Sequence, residues 1–121
     1  MLKQYRLSLD ETILELPAGT REPGEDWLHC AQRELREETG HRGENWTDLG
    51  RVWPAPGLTN ELMAIYLATD LSPAPLPPDV DEEIEVAPLP LHDLMPMALD
   101  GRLKDAKSVV AILRAAAYLD C

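Results

Sequence analysis

One segment, residues 18–40, constrains the fold of this chain more than any other. It predicts a loop from Gly19 to Gly24, followed by a helix over residues 25–39 that ends at Gly40. Glycine adopts the left-handed conformation that terminates many helices. Gly24 is a plausible N-cap, and the acidic residues directly after it suit the positive end of the helix dipole. The segment therefore predicts a loop and a helix with defined ends.

The predicted helix turns two carboxylates toward its apolar side. At 100° per residue from Trp27, the apolar residues centre at about 55°, Glu38 lies at about 20° and Glu34 at about 340°. Glu37 lies farther out, at about 280°. Carboxylates facing the protein repel each other and lose hydration, and a divalent cation would offset both costs. A solvated acidic helix explains the same residues, so geometry alone leaves both interpretations open.

The glycines and charges of this segment have a specific spacing, and the family that it resembles favours the metal interpretation. The segment follows the pattern G-x5-E-x7-R-E-U-x-E-E-x-G, its positions being Gly19, Glu25, Arg33, Glu34, Leu35, Glu37, Glu38 and Gly40. This pattern resembles the Nudix box of the Nudix hydrolases. The one departure is His41, where the family prefers a bulky aliphatic residue. The neighbouring ELPAG and PAPG segments resemble the ADP-ribose pyrophosphatase branch.

The resemblance implies a divalent-metal site, with Mg²⁺ expected and Mn²⁺ an alternative. Its ligands would be Glu34, Glu38, the backbone carbonyl of Ala18 and, ranked lower, Glu37. Arg33 is expected to orient and neutralise these carboxylates, and a catalytic role for it is the alternative. Gly19 is expected to provide backbone shape.

The resemblance also predicts a catalytic base and substrate contacts. An acidic residue on a loop after the box would be the base; within residues 81–85, Glu82 fits best and Glu83 second. A solvated acidic loop is the alternative. The positions expected near the substrate are Arg6, Glu15, Gly19, Pro56 and Glu61. Surface strand charges and an ordinary turn proline would account for some of them without a substrate.

Composition argues against several partners and compartments. The chain has 121 residues and a formal net charge of −11. This charge disfavours nucleic acid and anionic membranes as partners, although carboxylates that hold a metal still attract phosphate. The two cysteines, Cys30 and Cys121, do not predict a disulfide framework, so a cytoplasmic location is expected. No segment has the pattern of a signal peptide or a membrane span.

Hydrophobic periodicity predicts the other elements. Strands are predicted at residues 3–9, 12–16, 49–53, 61–69 and 83–88, helices at 92–97 and 104–119, and loops at 42–45 and 72–80. In the first strand Tyr5, Leu7 and Leu9 would face the core. The strand at 61–69 is apolar on both faces, which predicts a central position between helices. The fold expected is an α/β Nudix fold, an α/β/α sandwich with a mixed β-sheet between helices.

The activity that the resemblance implies is Mg²⁺-dependent pyrophosphohydrolysis of a nucleoside diphosphate derivative. ADP-ribose, cleaved to AMP and ribose 5-phosphate, is the first expectation. Nucleoside triphosphates, dinucleoside polyphosphates and sugar nucleotides are alternative substrates. A non-catalytic nucleotide-sensing Nudix module is the alternative from another class.

The resemblance extends to the Q-Y-R segment at residues 4–6. In typical ADP-ribose pyrophosphatases a longer N-terminal segment comes before it. That segment builds their dimer and part of the adenine pocket. We therefore expect a single domain over residues 1–121 without this extension, and any homodimer to be of another type. Stacking on a base or ribose would then fall to another aromatic residue, the candidates being Trp53, Tyr5 and Trp46.

Overall fold

The computed structural model describes residues 1–77 and 84–120. Its strands are β1 (Leu2–Arg6), β2 (Glu11–Glu15), β3 (His41–Val52), β4 (Met63–Pro73) and β5 (Ile84–Val86). Its helices are α1 (Trp27–Thr39), α2 (Leu91–Asp100) and α3 (Ala106–Leu119). This alternation of strands and helices confirms the predicted α/β class.

The described strands form two sheets whose pairs are antiparallel. In the first, β1 lies between β2 and β5, with Leu2 opposite both Glu15 and Val86. In the second, β3 pairs with β4, with an irregularity in register between Asp48 and Arg51. Within the described residues β4 pairs with β3 alone, so the central position predicted for residues 61–69 is not observed there. The polar residues 42–45, predicted as a loop, belong to β3 because their backbone pairs with the end of β4.

Helix α1 follows the prediction at its C-terminus and departs from it at its N-terminus. Gly40 has φ 72°, and its N–H donates to the carbonyl of Arg36 at 3.0 Å. The helix begins at Trp27 because Asp26, rather than Gly24, caps it, its carboxylate accepting a hydrogen bond from the His29 N–H at 2.7 Å. The short polar side chain of Asp26 satisfies one of the first unpaired N–H groups of the helix.

The main hydrophobic core lies where α2 and α3 pack together. Leu94, Leu103 and Ile112 are buried there, and Leu14 and Leu16 pack against them from the end of β2. Burial of each such aliphatic side chain contributes roughly 1.5–3 kcal/mol to folding. This packing anchors the end of β2, and with it the loop that leads to α1. α1 itself contacts β3, β4 and β5.

The first predicted strand is shorter than its alternating pattern suggested. β1 ends at Arg6, and residues 7–10 form a turn in which Asp10 has φ 50°. Tyr5 is 40% exposed, Leu7 84% and Leu9 56%, so the prediction that these three residues face the core is wrong. The alternation continues through the turn, but there the chain has left the sheet. Within the described residues no helix has the length and apolar character needed to cross a membrane.

Candidate active site

Gly19 lies directly against the carboxylate of Glu34. A Cβ at residue 19 would stand 1.9 Å from Glu34 Cδ and 2.2 Å from its Oε1. Ordinary contact between carbon atoms is about 3.5–4 Å, so only glycine leaves room for this carboxylate against the loop. The glycine spacing in the sequence therefore reflects a close approach between the loop and α1. The Glu34 side chain is 14% exposed in this position.

Arg33 connects the loop, the start of α1 and two of the predicted metal ligands. Its Nε and Nη2 donate to the two carboxylate oxygens of Glu25 at 2.8 and 2.9 Å, and Nη2 also donates to the Thr20 carbonyl at 3.2 Å. Its Nη1 donates to Glu34 and to Glu37, each at 3.0 Å. A bidentate arginine orients its partners as well as neutralising them. This geometry supports the orienting role expected for Arg33.

The protonation states of this cluster follow from its contacts. Hydrogen bonds from Arg33 hold the pKa of Glu25 well below its usual value, and Glu25 in turn raises the pKa of Arg33. Both groups therefore stay charged across the physiological pH range. The neighbouring Cys30 behaves oppositely, because burial raises the pKa of its thiol to about 11. Cys30 is thus a neutral packing residue at neutral pH.

Helix α1 turns its acidic face inward more than predicted. Its buried residues are Cys30 and Glu38, which lie at about 300° and about 20° on the helical wheel. Their midpoint, at about 340°, is the position of Glu34. The apolar stripe predicted at about 55° is less covered, and Leu28 is 36% exposed. Glu38 is only 8% exposed. The pKa of Arg6 is raised mainly by its hydrogen bond to Glu15, and the charge of Glu38 adds to this effect.

A cavity of about 570 Å³ opens beside this cluster. Its wall includes four positions predicted or expected at the site, namely Ala18, Gly19, Glu34 and Glu61. Aromatic and apolar side chains form most of the remaining wall, among them Trp27, Trp46 and Tyr66. The structure thus brings residues from the loop, α1 and the start of β4 around one space. The combination of an apolar wall and a few convergent polar groups is typical of small-molecule sites.

Two of the predicted ligand carboxylates, those of Glu34 and Glu37, lie close together, and Glu34 is on the cavity wall. One N–H-bearing atom, Arg33 Nη1, contacts an oxygen of Glu34 and an oxygen of Glu37, so these oxygens lie at most twice 3.0 Å apart. The positive charge between these oxygens is that of the Arg33 guanidinium. Carboxylate oxygens are also the ligands that hard divalent cations prefer. The Ala18 carbonyl belongs to a residue on the same cavity wall. Within the described ranges, however, no three His, Cys, Asp or Glu side chains are grouped closely enough to form a complete protein-only site.

Arg6 and Glu15 form a second charged network at the other end of the loop. Arg6 binds Glu15 through two hydrogen bonds of 2.7 Å, and Lys107 of α3 donates to the same carboxylate at 2.6 Å. Burial would raise the pKa of Glu15, but the hydrogen bonds from Arg6 and Lys107 outweigh it and lower that pKa. Lys107 also lines the cavity. Arg6 stays partly exposed, so its guanidinium is oriented by Glu15 while remaining open to solvent.

Helix α3 supplies residues to this region that sequence reasoning did not identify. Ser108 is fully buried, and its hydroxyl accepts a hydrogen bond from the Leu16 N–H at 2.8 Å while donating to Asp105. Asp105 also pairs with Lys107 at 2.8 Å. A buried serine and lysine on an otherwise apolar helix were the available signal. Together these contacts hold the residues just before Ala18.

The remaining predicted residues lie in separate places. Pro56 lines a shallow surface depression with Trp53, Leu58 and Asn60, apart from the cavity beside Glu34. Of the three aromatic candidates for base stacking, Trp46 lines the cavity. Trp53 lines the other depression, and Tyr5 donates a hydrogen bond to Asp10 at the exposed turn. The predicted catalytic bases, Glu82 and Glu83, lie outside the described residues.

Comparison with known proteins supports the geometry. A NUDIX domain model matches residues 1–111. The chain is 36% identical over 114 residues to the ADP-ribose pyrophosphatase of Bacillus subtilis (strain 168), covering 93% of this chain and 62% of that protein. It is 35% identical over 86 residues to the GDP-mannose pyrophosphatase of Yersinia pestis (strain Pestoides F), covering 69% of this chain and 43% of that protein.

A solved structure of an ADP compounds hydrolase matches with a TM-score of 0.88 and 28% identity, covering 98% of this chain and 64% of that one. The chain thus spans about three-fifths of the length of this hydrolase and of the ADP-ribose pyrophosphatase. These matches confirm the predicted family and fold. With its box spacing, its Gly19–Glu34 contact and a domain match over residues 1–111, this chain belongs to the Nudix family.

Proposed function

We propose that this chain is a divalent-metal-dependent pyrophosphohydrolase that cleaves a nucleoside diphosphate derivative, with ADP-ribose the first substrate. The products would be AMP and ribose 5-phosphate. The observation that carries the proposal is the packing of the Glu34 carboxylate against Gly19 on the wall of a cavity of about 570 Å³. The match to an ADP-ribose pyrophosphatase supports the choice of first substrate.

The metal, Mg²⁺ in first place and Mn²⁺ as an alternative, would be held by Glu34, Glu38, Glu37 and the Ala18 carbonyl. When bound, such a cation neutralises phosphoryl oxygens and lowers the pKa of water. Arg33 orients two of these carboxylates through its hydrogen bonds. Glu15, itself held by Arg6 and Lys107, fixes the strand that leads into the loop.

The substrate would occupy the cavity between the loop, α1 and β4. Glu61, two residues before β4, lies on this wall and would contact the diphosphate through the metal or through water. Arg6 would approach a phosphate from the exposed side of its pair with Glu15. Pro56 lies in a separate surface depression, so it would contact the substrate only where the substrate extends beyond the cavity. We propose Glu82 as the proton acceptor for the attacking water, with Glu83 as the second candidate.

Sugar nucleotides are the second candidate substrates, because the chain also matches a GDP-mannose pyrophosphatase at 35% identity. ADP-ribose and GDP-mannose share the diphosphate that the carboxylates and metal would grip. They differ in the base and in the sugar, which the apolar wall would distinguish. A reducing compartment, for which we propose the cytoplasm, suits the buried free thiol of Cys30.

The test is a substrate panel assayed for products with Mg²⁺ and with Mn²⁺. It would contain ADP-ribose, GDP-mannose, nucleoside triphosphates and dinucleoside polyphosphates. Fastest cleavage of ADP-ribose supports the first substrate, and faster cleavage of GDP-mannose supports the second. Faster cleavage of the triphosphates contradicts both. Glu38→Gln should reduce turnover by orders of magnitude, whereas Glu44→Gln, an exposed carboxylate paired with Arg42 on β3, should not.

The same variants separate an enzyme from a nucleotide sensor. A sensor would show no turnover in the wild-type protein and would keep its ligand affinity in Glu38→Gln. Replacing the proposed base by Glu82→Gln or Glu83→Gln should lower kcat with little change in KM. Wild-type kcat in both variants would show that neither residue is the base, while leaving the proposed reaction intact.

A further inference from the structure

The cavity beside Glu34 also has a cationic side. Arg21 lies in the loop between Gly19 and Gly24, and its guanidinium carbon stands 3.8 Å from the centre of the Trp27 ring. The guanidinium carbon of Arg51 stands 4.7 Å from the same ring. Arg21 and Trp27 both line the cavity. Two positive groups therefore contact one indole, and the cavity that Arg21 lines also has Glu34 and Glu61 on its wall.

Arg21 differs from the other arginines in how its N–H groups are used. Throughout residues 1–77 and 84–120, each of the other arginines donates a hydrogen bond or forms an ion pair within the protein. Within the same ranges, Arg21 contacts the indole of Trp27 but makes no hydrogen bond or ion pair. The net charge of the chain is −11, so carboxylates are plentiful. A guanidinium that has no carboxylate partner at a cavity wall is available to an anionic ligand.

The contact with Trp27 prepares Arg21 for such a ligand. A guanidinium stacked on an aromatic face is attracted by the ring and loses mobility, while its N–H groups still point outward in its own plane. This fork matches two oxygens of one phosphate. Because Arg21 is two residues from Gly19, a phosphate bound to it would lie on the same wall as the Glu34 carboxylate.

We propose that Arg21, positioned by Trp27, binds a phosphate group of the substrate, an inference that rests on the proposed function. The ligand chemistry is a phosphate ester or anhydride, and either side of the cleaved diphosphate, AMP or ribose 5-phosphate, can supply it. Trp27 is a positioning residue in this arrangement. The carboxylates can bind the substrate only through a metal ion. Arg21 would add a contact that does not depend on the metal.

The first experiment is steady-state kinetics on the best substrate of the panel. Arg21→Ala should raise KM about tenfold with kcat within about twofold, the loss expected for a charged hydrogen bond. Arg21→Lys should recover part of this loss, because it restores the charge but not the fork. Trp27→Leu should raise KM less than Arg21→Ala. Arg42→Ala removes one exposed arginine on β3 and should leave KM and kcat unchanged.

The second experiment measures binding without turnover. AMP, ribose 5-phosphate and inorganic pyrophosphate are titrated separately in EDTA, with calorimetry as the readout. Weaker binding of AMP or of ribose 5-phosphate to Arg21→Ala supports the proposal and identifies which phosphate Arg21 contacts. Unchanged binding of all three probes, together with unchanged KM, overturns it.

The two experiments keep this inference apart from the proposed function. If the wild-type protein cleaves the panel and Arg21→Ala behaves like wild type, the inference fails and the function stands. If nothing is cleaved but Arg21→Ala loses affinity for these probes, the function fails and the phosphate contact stands.

Discussion

Replacing Gly19 by alanine tests how tightly the loop and α1 fit together. The new Cβ would stand 1.9 Å from Glu34 Cδ, whereas ordinary contact begins at 3.4 Å. The two groups must therefore separate by about 1.5 Å. Gly19 does not have the positive φ that would strain an alanine, so the effect comes from this contact alone.

The atoms involved in this clash determine whether the substitution lowers folding stability or activity. The clash is with Cγ, Cδ and Oε1 of Glu34, the far end of a flexible side chain that can rotate away. Folding stability should therefore change by less than about 1 kcal/mol, below the usual cost of overpacking a core. A displacement of about 1 Å in a positioned group is enough to reduce turnover about 100-fold. We expect Gly19→Ala to fold normally and to lose about that much activity.

The assay is kcat as a function of Mg²⁺ concentration, together with the thermal unfolding midpoint. Gly57→Ala is the matched control, because a Cβ there meets no atom within 4 Å. It should retain activity within about twofold. If Gly19→Ala kept the wild-type rate and Mg²⁺ dependence, the close packing of Glu34 on the loop would not matter for the reaction, and this reasoning would be refuted.

Three further predictions concern the neighbouring residues. Arg33→Lys keeps a charge but loses the fork, and kcat should fall about tenfold, as is usual for groups that orient metal ligands. The folded pKa of Glu15 is lowered, so its stabilisation is present above its unfolded pKa of about 4.3 and is lost as pH falls through the folded value. Urea unfolding should show the stability gap between wild type and Glu15→Gln shrinking below about pH 4. In a Cys121→Ser background Cys30, whose pKa is raised to about 11, should react with a thiol reagent at pH 8 only on unfolding.

Each of these has a contrary result. An unchanged kcat in the arginine variant would make its hydrogen bonds to the carboxylates irrelevant to turnover. A stability gap that stays constant down to pH 3 would remove the carboxylate from the acid response. Rapid modification of the folded thiol would mean that the start of α1 opens readily.

The ends of α1 illustrate what local sequence can predict. The sequence predicts that the helix stops at Gly40, because a left-handed residue is needed there and glycine adopts that conformation freely. The start was placed too early, since the choice between Gly24 and Asp26 as the cap depends on which group reaches the His29 N–H. That choice depends on the path of the loop, which sequence spacing does not determine.

The strands show where pairing overrides pattern. Residues 42–45 are polar and have no alternation, yet they extend β3 because the backbone of β4 continues opposite them. Leu7 and Leu9 continue the alternation of β1 beyond the point where β2 can pair with it. In both cases the partner strand, which is distant in sequence, decided the outcome.

The candidate site was predictable where its residues lie within one segment. The spacing from Gly19 to Glu38 anticipated a loop packed on an acidic helix face, because both parts are local. The contact of Lys107 with Glu15 joins residues 92 positions apart, and no local pattern indicates it. Arg21 belongs to a loop without periodicity, so its stacking on a helix residue also required the structure.

The central claim is that Glu34 and Glu38 hold a divalent cation beside the cavity. The most direct measurement is Mn²⁺ binding followed by electron paramagnetic resonance, on the wild-type protein, the double variant Glu34→Gln/Glu38→Gln and the control Glu44→Gln. We predict that the double variant binds Mn²⁺ at least about 100-fold more weakly, because it removes two charged oxygen ligands, while the control is unchanged. Equal Mn²⁺ affinity in all three proteins, each with its normal unfolding midpoint, would contradict the claim.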